Sequence, residues 1–377
     1  MYNLVKRPSF LSPGAALCRS DRRGLMNRRK TEKASARATM VDVAKLAGVS
    51  QATVSMVLNE TGGTRVTEKT RKLVREAADT LGYRVWMRSA IGSGGPQAIG
   101  FVIDDSTSNP IVNKAIDSAR QLAWENGAVL VVLPTQNDER LRAAALELLF
   151  AHRVVGLVFA AFFTREYTLP QKLSAVPMVL INCHTKGDQA PAILPAHASG
   201  AETAVQHLVA AGHRRIAFIN GESWMEASKD RLRGYKRGLK AANIPYDARL
   251  VKSGNWLLSG GHDCTRELLA QPEPPTAIFC ASDEMAIGCY EAIKEAGLSI
   301  PGDISVVGFD DDPSSRHLEP PLTTILVPHE DMGRRAITHL YAKRDNEDRT
   351  GIISGRLQIE CPLVERDSVG PPRGRAA

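Results

Sequence analysis

Between residues 98 and 343 the chain alternates short apolar runs with helix-periodic stretches, and this alternation restricts its fold more than any other feature. AIGFVID (98–104), AVLVVL (128–133), VVGLVFA (154–160), VPMVLIN (176–182), RRIAFIN (214–220), TAIFCA (276–281), ISVVGFDD (304–311) and LTTILV (322–327) read as strands. Their apolar residues run on without strict alternation, as in parallel sheets covered on both faces. Helices are expected at 109–127, 138–152, 168–174, 199–211, 228–242, 259–270, 283–296 and 329–343. Residues 98–368 are too many for one compact α/β unit. The expected solution is two doubly wound parallel-sheet subdomains, 98–212 with 329–355 and 213–328 with 356–368. A ligand then belongs in the cleft at the carboxyl ends of the strands. Asp104 and Asp105 end the first strand at such a place, where they either reach the cleft or cap a loop.

The stretch Thr39 to Asn59 has a different pattern. Thr39 and Asp42 have capping-box spacing, and Val41, Ala44 and Leu46 form the expected apolar face of a first helix. Gly48 supplies a turn and Ser50 caps a second helix, with Val54, Val57 and Leu58 inward. Thr67 caps a third, residues 68–81, with Leu73, Val74, Ala77 and Leu81 inward. Two short helices around a glycine turn, braced by a third, are the helix-turn-helix arrangement, whose second helix enters the DNA major groove.

Charge is divided in the same way. The chain of 377 residues has a formal net charge of +7, with +8 in residues 1–38, +3 in 39–92 and −4 in the remainder. A basic end and a mildly acidic body suit a nucleic-acid reader joined to a small-molecule sensor. Residues 1–38 read as a disordered basic tail, and 369–377 as a second disordered tail. The six cysteines are scattered without C-x-x-C, which argues against a zinc site or a disulfide framework and suits a reducing cytoplasm. No apolar run reaches the ~18 residues of a membrane span.

No catalytic constellation or cofactor motif is found. Gly92 to Pro96 lacks the third glycine of a dinucleotide fingerprint and precedes a strand. Gly221-Glu222-Ser223-Trp224-Met225 lacks the second glycine of a nucleophile elbow. The histidines have no metal-site spacing, and a lone His213 or His262 reads as a packing or surface residue.

The motifs DVAKLAGVS, ATVS, VLN, TR and LGY, in this order within residues 39–83, closely resemble the DNA-binding headpiece of the lactose-repressor (LacI/GalR) family of bacterial transcription regulators. HLVAAGHRRIAFI, RLRGY, PTAIFCASDEMAIG, GLSIPGDISVVGFDD and PPLTTI extend the resemblance through the body, to about residue 368. The resemblance implies a headpiece at 39–84, a hinge at 85–97 and a periplasmic-binding-protein-like effector domain at 98–368. It also implies an effector-responsive operator-binding regulator, expected to be a repressor, acting as a homodimer on a palindromic site in the bacterial cytoplasm, at the nucleoid. The C-terminal DSVGPPRGRAA has no leucine heptads, so a dimer is expected rather than a tetramer.

By the same resemblance Gln51, Ala52 and Met56 stand at the base-reading positions. Gln51 can pair with adenine, and Met56 replaces an arginine that would read guanine. Thr39, Ser50, Thr53, Ser55 and Asn59 are expected at phosphates, and Ile91 as a minor-groove wedge. Val85-Trp86 departs from the usual hinge Pro-Asn. On the effector side the resemblance carries over Arg231, Trp256, Asp310 and His329, with Ser282 where Asn or Asp is common and Ala196-His197 where an Asp-Asn pair is usual. The implied effector is a sugar, a sugar acid or a nucleobase. A periplasmic binding protein or an α/β sugar-processing enzyme would share the body but not the headpiece.

Overall fold

Thr39 opens the first helix with a reciprocal cap: its hydroxyl accepts from the Asp42 amide at 3.4 Å, and its own amide donates to the Asp42 carboxylate at 2.8 Å. The computed structural model describes residues 39–58, 66–81, 97–104, 110–152, 154–169, 176–345 and 351–373. Asn59, Ile91, Asp105, the Val85-Trp86 pair and almost all of the expected hinge lie outside these residues, as do residues 170–175, which contain most of the expected helix 168–174. The chain divides into two units, one ending at Gly95 and the other beginning at Pro96.

The first unit holds α1 (Met40–Ala47), α2 (Gln51–Leu58) and α3 (Glu68–Thr80). Gly48 ends α1 in the left-handed region at φ 66°, which a side chain would strain. Ser50 Oγ then accepts from the Thr53 amide at 3.1 Å to start α2. The axes of α1 and α2 differ by 103°, within the helix-turn-helix range. The core is Val43, Ala44, Val54, Val57, Val74, Ala77 and Ala78. The expected inward faces are corrected here: Val41, Leu46 and Leu73 are exposed, while Val43 is fully buried. Met40, Val43, Ala44 and Ala47 share the α1 face that meets α2 and α3, and that stripe turns Val41 and Leu46 outward.

The second unit is built on two parallel sheets. The first contains β1 (Gln97–Ile103), β2 (Ala128–Pro134), β3 (Gly156–Glu166), β4 (Met178–His184), β5 (Ala192–Pro195) and, late in the chain, β11 (Arg356–Ile359), in the order β11-β5-β4-β3-β1-β2. The second contains β6 (Ile216–Asn220), β7 (Val251–Ser253), β8 (Ala277–Cys280) and β9 (Ser305–Val307), in the order β7-β6-β8-β9. β10 (Thr324–Ile325) and β12 (Leu363–Val364) make a small antiparallel pair. The connecting helices are α4 (Pro110–Glu125), α5 (Glu139–Ala151), α6 (His197–Ala210), α7 (Glu226–Ala241), α8 (Leu258–Leu269), α9 (Asp283–Glu295) and α10 (His329–Asp345).

The chain passes between the sheets at points other than 212 and 355. α6 follows β5 but packs on the second sheet: Ala201, Ala204, Val205 and Leu208 join Phe218, Tyr235 and Phe279 in one core. α7 lies so close to it that a Cβ on Gly234 would stand 2.1 Å from the Ala198 carbonyl oxygen. β11 pairs with β5, so residues 356–359 belong to the first sheet. α10 also belongs there, with Met332, Ala336, Ile337 and Leu340 in the core formed with β1, β3 and β4. The crossovers therefore run at about 195–197, 325–329 and 359–363. Among the described residues no single helix is long and apolar enough to cross a membrane.

Candidate functional site

In α2 the core residues Val54 and Val57 fix the orientation of the helix. Gln51 and Ala52 are exposed at its first turn, and Thr53, Ser55 and Met56 are half-buried. The Ser50 and Thr53 hydroxyls pair at 2.8 Å, so Ser50 works first as a cap. Thr39 is exposed at the start of α1. Lys45, Lys69, Lys72 and Arg75 are exposed on the same unit, beside exposed Asp42, Glu68 and Glu76, which leaves it a small excess of the basic side chains that attract phosphates.

Between the two sheets of the second unit lies a cavity of about 670 Å³, of the size that takes a small ligand. Its walls bring together Arg231, Trp256, Ser282, Asp310 and His329 from five different segments. Arg231 projects from α7 and is 4% exposed. Its Nη1 donates to the Ala281 carbonyl, and its Nη2 lies 3.4 Å from both the Asp310 carboxylate and His197 Nδ1. The guanidinium is stacked 3.8 Å from the Phe309 ring centroid and 5.3 Å from that of Trp256. Trp256 is held against the backbone of Gly221, where any Cβ would meet the indole ring at 2.0 Å.

Asp310 follows β9 with φ 116°, a conformation that side chains other than glycine rarely adopt. The bond from its amide to the Ile325 carbonyl, 2.7 Å, holds it there. Burial raises its carboxyl to about 6 against the pull of Arg231. Burial, with Lys114 and Arg231 nearby, pushes His329 down to about 4. His197 is held well below its ordinary value by burial and then by Arg231 and His329. Both rings are therefore neutral near pH 7. Ser282 caps α9 by accepting from the Met285 amide at 3.2 Å while it lines the cavity.

Asp104 is the exception among the expected cavity residues. Its carboxylate takes two bonds from Arg142, at 3.1 and 2.9 Å, and the Thr135 hydroxyl proton at 2.5 Å, with Arg165 at 3.6 Å. It is 2% exposed, and its loop-bracing partners leave it no role in the described cavity wall. Sequence reasoning missed Thr164, Asn182, Glu222 and Asp283, all of which line the cavity. Thr164 lies in the extension of β3 beyond its apolar run, and Asn182 ends the run of β4, so only strand-end position signals them. Asp283 is buried under β10, accepting from Thr324 Oγ1 at 2.6 Å and the Asp312 amide at 2.8 Å, and burial raises its carboxyl well above the usual range.

Among the described residues no cluster of His, Cys, Asp or Glu could hold a metal ion, and the five described cysteines are buried thiols. The cavity therefore presents donors, acceptors and aromatic faces suited to holding a small polar molecule.

Residues 39–85 match the family described as bacterial regulatory proteins, lacI family, and residues 205–369 match a periplasmic binding protein-like domain. The chain is 34% identical over 340 residues to the HTH-type transcriptional regulator GalR of Salmonella typhimurium, covering 89% of this chain and 97% of that protein. It is 32% identical over 336 residues to the HTH-type transcriptional repressor PurR of Haemophilus influenzae, covering 88% and 98%. The structure of the lac repressor dimer bound to operator and the anti-inducer ONPF superposes with a TM-score of 0.64 at 29% identity, covering 89% of this chain and all of that one. With the helix-turn-helix unit and the two-sheet cavity in one polypeptide, this chain belongs to the LacI family of bacterial transcription regulators.

Proposed function

We propose that the protein is a cytoplasmic transcriptional repressor that binds a pseudo-palindromic operator as a homodimer and is controlled by a small polar effector in the two-sheet cavity. The carrying observation is the cavity itself, where Arg231 and Asp310 meet between aromatic faces inside a chain that also carries an exposed α2 face. A two-fold dimer suits a palindrome, because each subunit then presents the same helix to one half-site. The half-site departs from the family's common one through Gln51 and Met56. The effector is a sugar, a sugar acid or a nucleobase, and its binding changes operator affinity by favouring one arrangement of the two sheets over another.

Selection of bound duplexes from a random palindromic pool at physiological salt tests this. Recovery of one pseudo-palindrome, bound with two protein copies and released or tightened by a small molecule, is the expected result. Recovery of nothing above salt-sensitive non-specific binding, with or without small molecules, would overturn it.

A further inference from the structure

We propose that the effector carries a protonated amine set against Glu222: an amino sugar, or an amine-bearing polyol of similar size. This narrows the effector class and rests on the reading of the cavity as an effector site.

Two buried side-chain atoms of the cavity wall, Glu222 Oε2 and Arg231 Nε, have no hydrogen-bond partner among the described residues. Most buried polar atoms in folded proteins are paired, with protein, water or ligand, and because these two line the cavity each offers a bond that a ligand there can complete. Arg231 Nε requires an oxygen acceptor. Glu222 Oε2 requires a donor. Hydroxyls alone could satisfy both, and charge selects between a hydroxyl and an ammonium donor.

Glu222, Asp283, Glu284, Asp310 and Asp312 put five carboxyl groups on the wall, of which burial holds Asp283 toward its neutral form, while Arg231 is the one cation among the described lining residues. Its charge already faces Asp310 at 3.4 Å. His197 and His329 are neutral and offset nothing. Two further cations lie nearby: Lys114 donates to the neutral Asp311 carbonyl at 3.3 Å and keeps its charge, which acts on Asp310 and His329, while Arg165 lies 5.0 Å over Phe163 and 3.6 Å from Asp104. With Lys114 counted, the carboxyl groups of the wall still outnumber the cations. A sugar acid would add a further negative charge to this wall, and a neutral ring would leave the excess uncompensated. An ammonium group compensates it, and charge–charge attraction is strongest where water is excluded.

The local structure supports the same ligand. Glu222 and Trp224 share the loop from β6 to α7, and the Trp224 ring meets Phe163 edge-on at 6.0 Å. Trp224 is 65% exposed although it lines the cavity. An indole face beside a carboxylate is a pairing that holds ammonium groups. The same loop is the near-match to a nucleophile elbow in the sequence, and cation binding gives Glu222 and Trp224 a use without any catalytic step.

Calorimetry on the full-length protein at pH 7 would use glucosamine, galactosamine and mannosamine, their parent hexoses, and glucuronate and galacturonate. At least one amino sugar should bind ~10-fold or more tightly than its parent hexose, as a charge-assisted bond to a partly buried carboxylate allows. The uronates should bind less tightly than the parent hexoses. Glu222→Gln should reduce the amine preference over the parent hexose to within about twofold, and the exposed Trp224→Leu should lower amine binding without altering the unfolding midpoint. A hexose or uronate matching its amino counterpart, a preference that survives Glu222→Gln, or no binding by any amino sugar would overturn the inference. Selective operator binding retained in those cases would leave the regulator reading standing, and its loss would remove both.

Discussion

Thr164 donates its hydroxyl proton to Asn182 Oδ1 across 2.6 Å, and this bond decides where the proton sits on His197. The Asn182 amide group is oriented by the carbonyls of Ala161 and Phe162, which accept from its Nδ2 at 3.2 and 2.7 Å. Oδ1 must therefore face Thr164. The Thr164 oxygen can then only accept from His197 Nε2, 3.2 Å away, which leaves Nδ1 as the acceptor turned toward Arg231. The tautomer is assigned from this network. A chain of bonds thus runs from the first sheet through α6 to α7 and fixes the guanidinium.

Thr164→Val is predicted to strand the Asn182 oxygen and the His197 proton in a buried place. The expected cost is about 1–3 kcal/mol in urea denaturation, since each unpaired buried group loses its hydration without replacement. Asn182 also has φ 55°, so its backbone gives little room to turn the amide elsewhere. An unchanged unfolding midpoint would show that the hydroxyl does not direct the chain.

A second prediction concerns acid. His329 is lowered from 6.5 to about 4 in the folded protein, so its contribution is fully present above pH 6.5 and is lost as pH falls toward 4. His197 acts in the same direction. Asp310, raised to about 6, and Asp283, raised well above 3.8, act in the opposite one, because protonation relieves their burial as pH falls. The informative quantity is therefore the difference between proteins. Between pH 7 and 5, His329→Asn should lose less stability than the parent by about 2 kcal/mol. Parallel stability–pH curves for the two proteins would contradict a buried neutral His329.

Much of this was legible because short-range chemistry controls it. The Thr39–Asp42 cap, the Gly48 turn and the apolar strand runs each depend on neighbours within a few positions. The crossovers near 196 and 360 were not legible. α6 has small apolar residues on one face, and nothing in its periodicity says that they meet Tyr235 and Phe279 rather than the sheet that precedes it. Residues 356–359 carry few buried side chains, so their pairing with β5 follows from where the first sheet has an open edge. Asp104 shows the same limit at one residue. Its place at a strand end suggests the cleft, but Arg142, 38 positions later, captures the carboxylate.

Gly234 gives a third prediction. Alanine there would gain about 1 kcal/mol in helix propensity. The added Cβ would stand 2.1 Å from the Ala198 carbonyl oxygen and 2.8 Å from the Ala201 Cβ, so α6 and α7 would have to separate. Overpacking of a buried contact costs about 1–3 kcal/mol or more, which exceeds the gain. Gly234→Ala should therefore lower the thermal midpoint. It should also weaken effector binding, because Arg231 lies on α7 and His197 begins α6.

The last prediction lies in α2. With about 100° of rotation per residue, Val54 and Val57 on the core side turn Gln51, Ala52, Ser55 and Met56 to the opposite half of the helix. Gln51→Ala should lose selectivity at a single base pair, by about 1–3 kcal/mol, while phosphate attraction through Lys45 and Lys69 persists. Met56→Arg should act the other way and raise affinity for half-sites carrying guanine at one position. Met56 is only half-buried, so a long side chain can leave its place beside the core without opening a cavity. Comparison of the selected half-sites of the two variants with the parent checks both. A Gln51→Ala protein that keeps the parent's preference at every position, with affinity lowered uniformly, would mean that Gln51 meets phosphate and that the base-reading face lies elsewhere on α2.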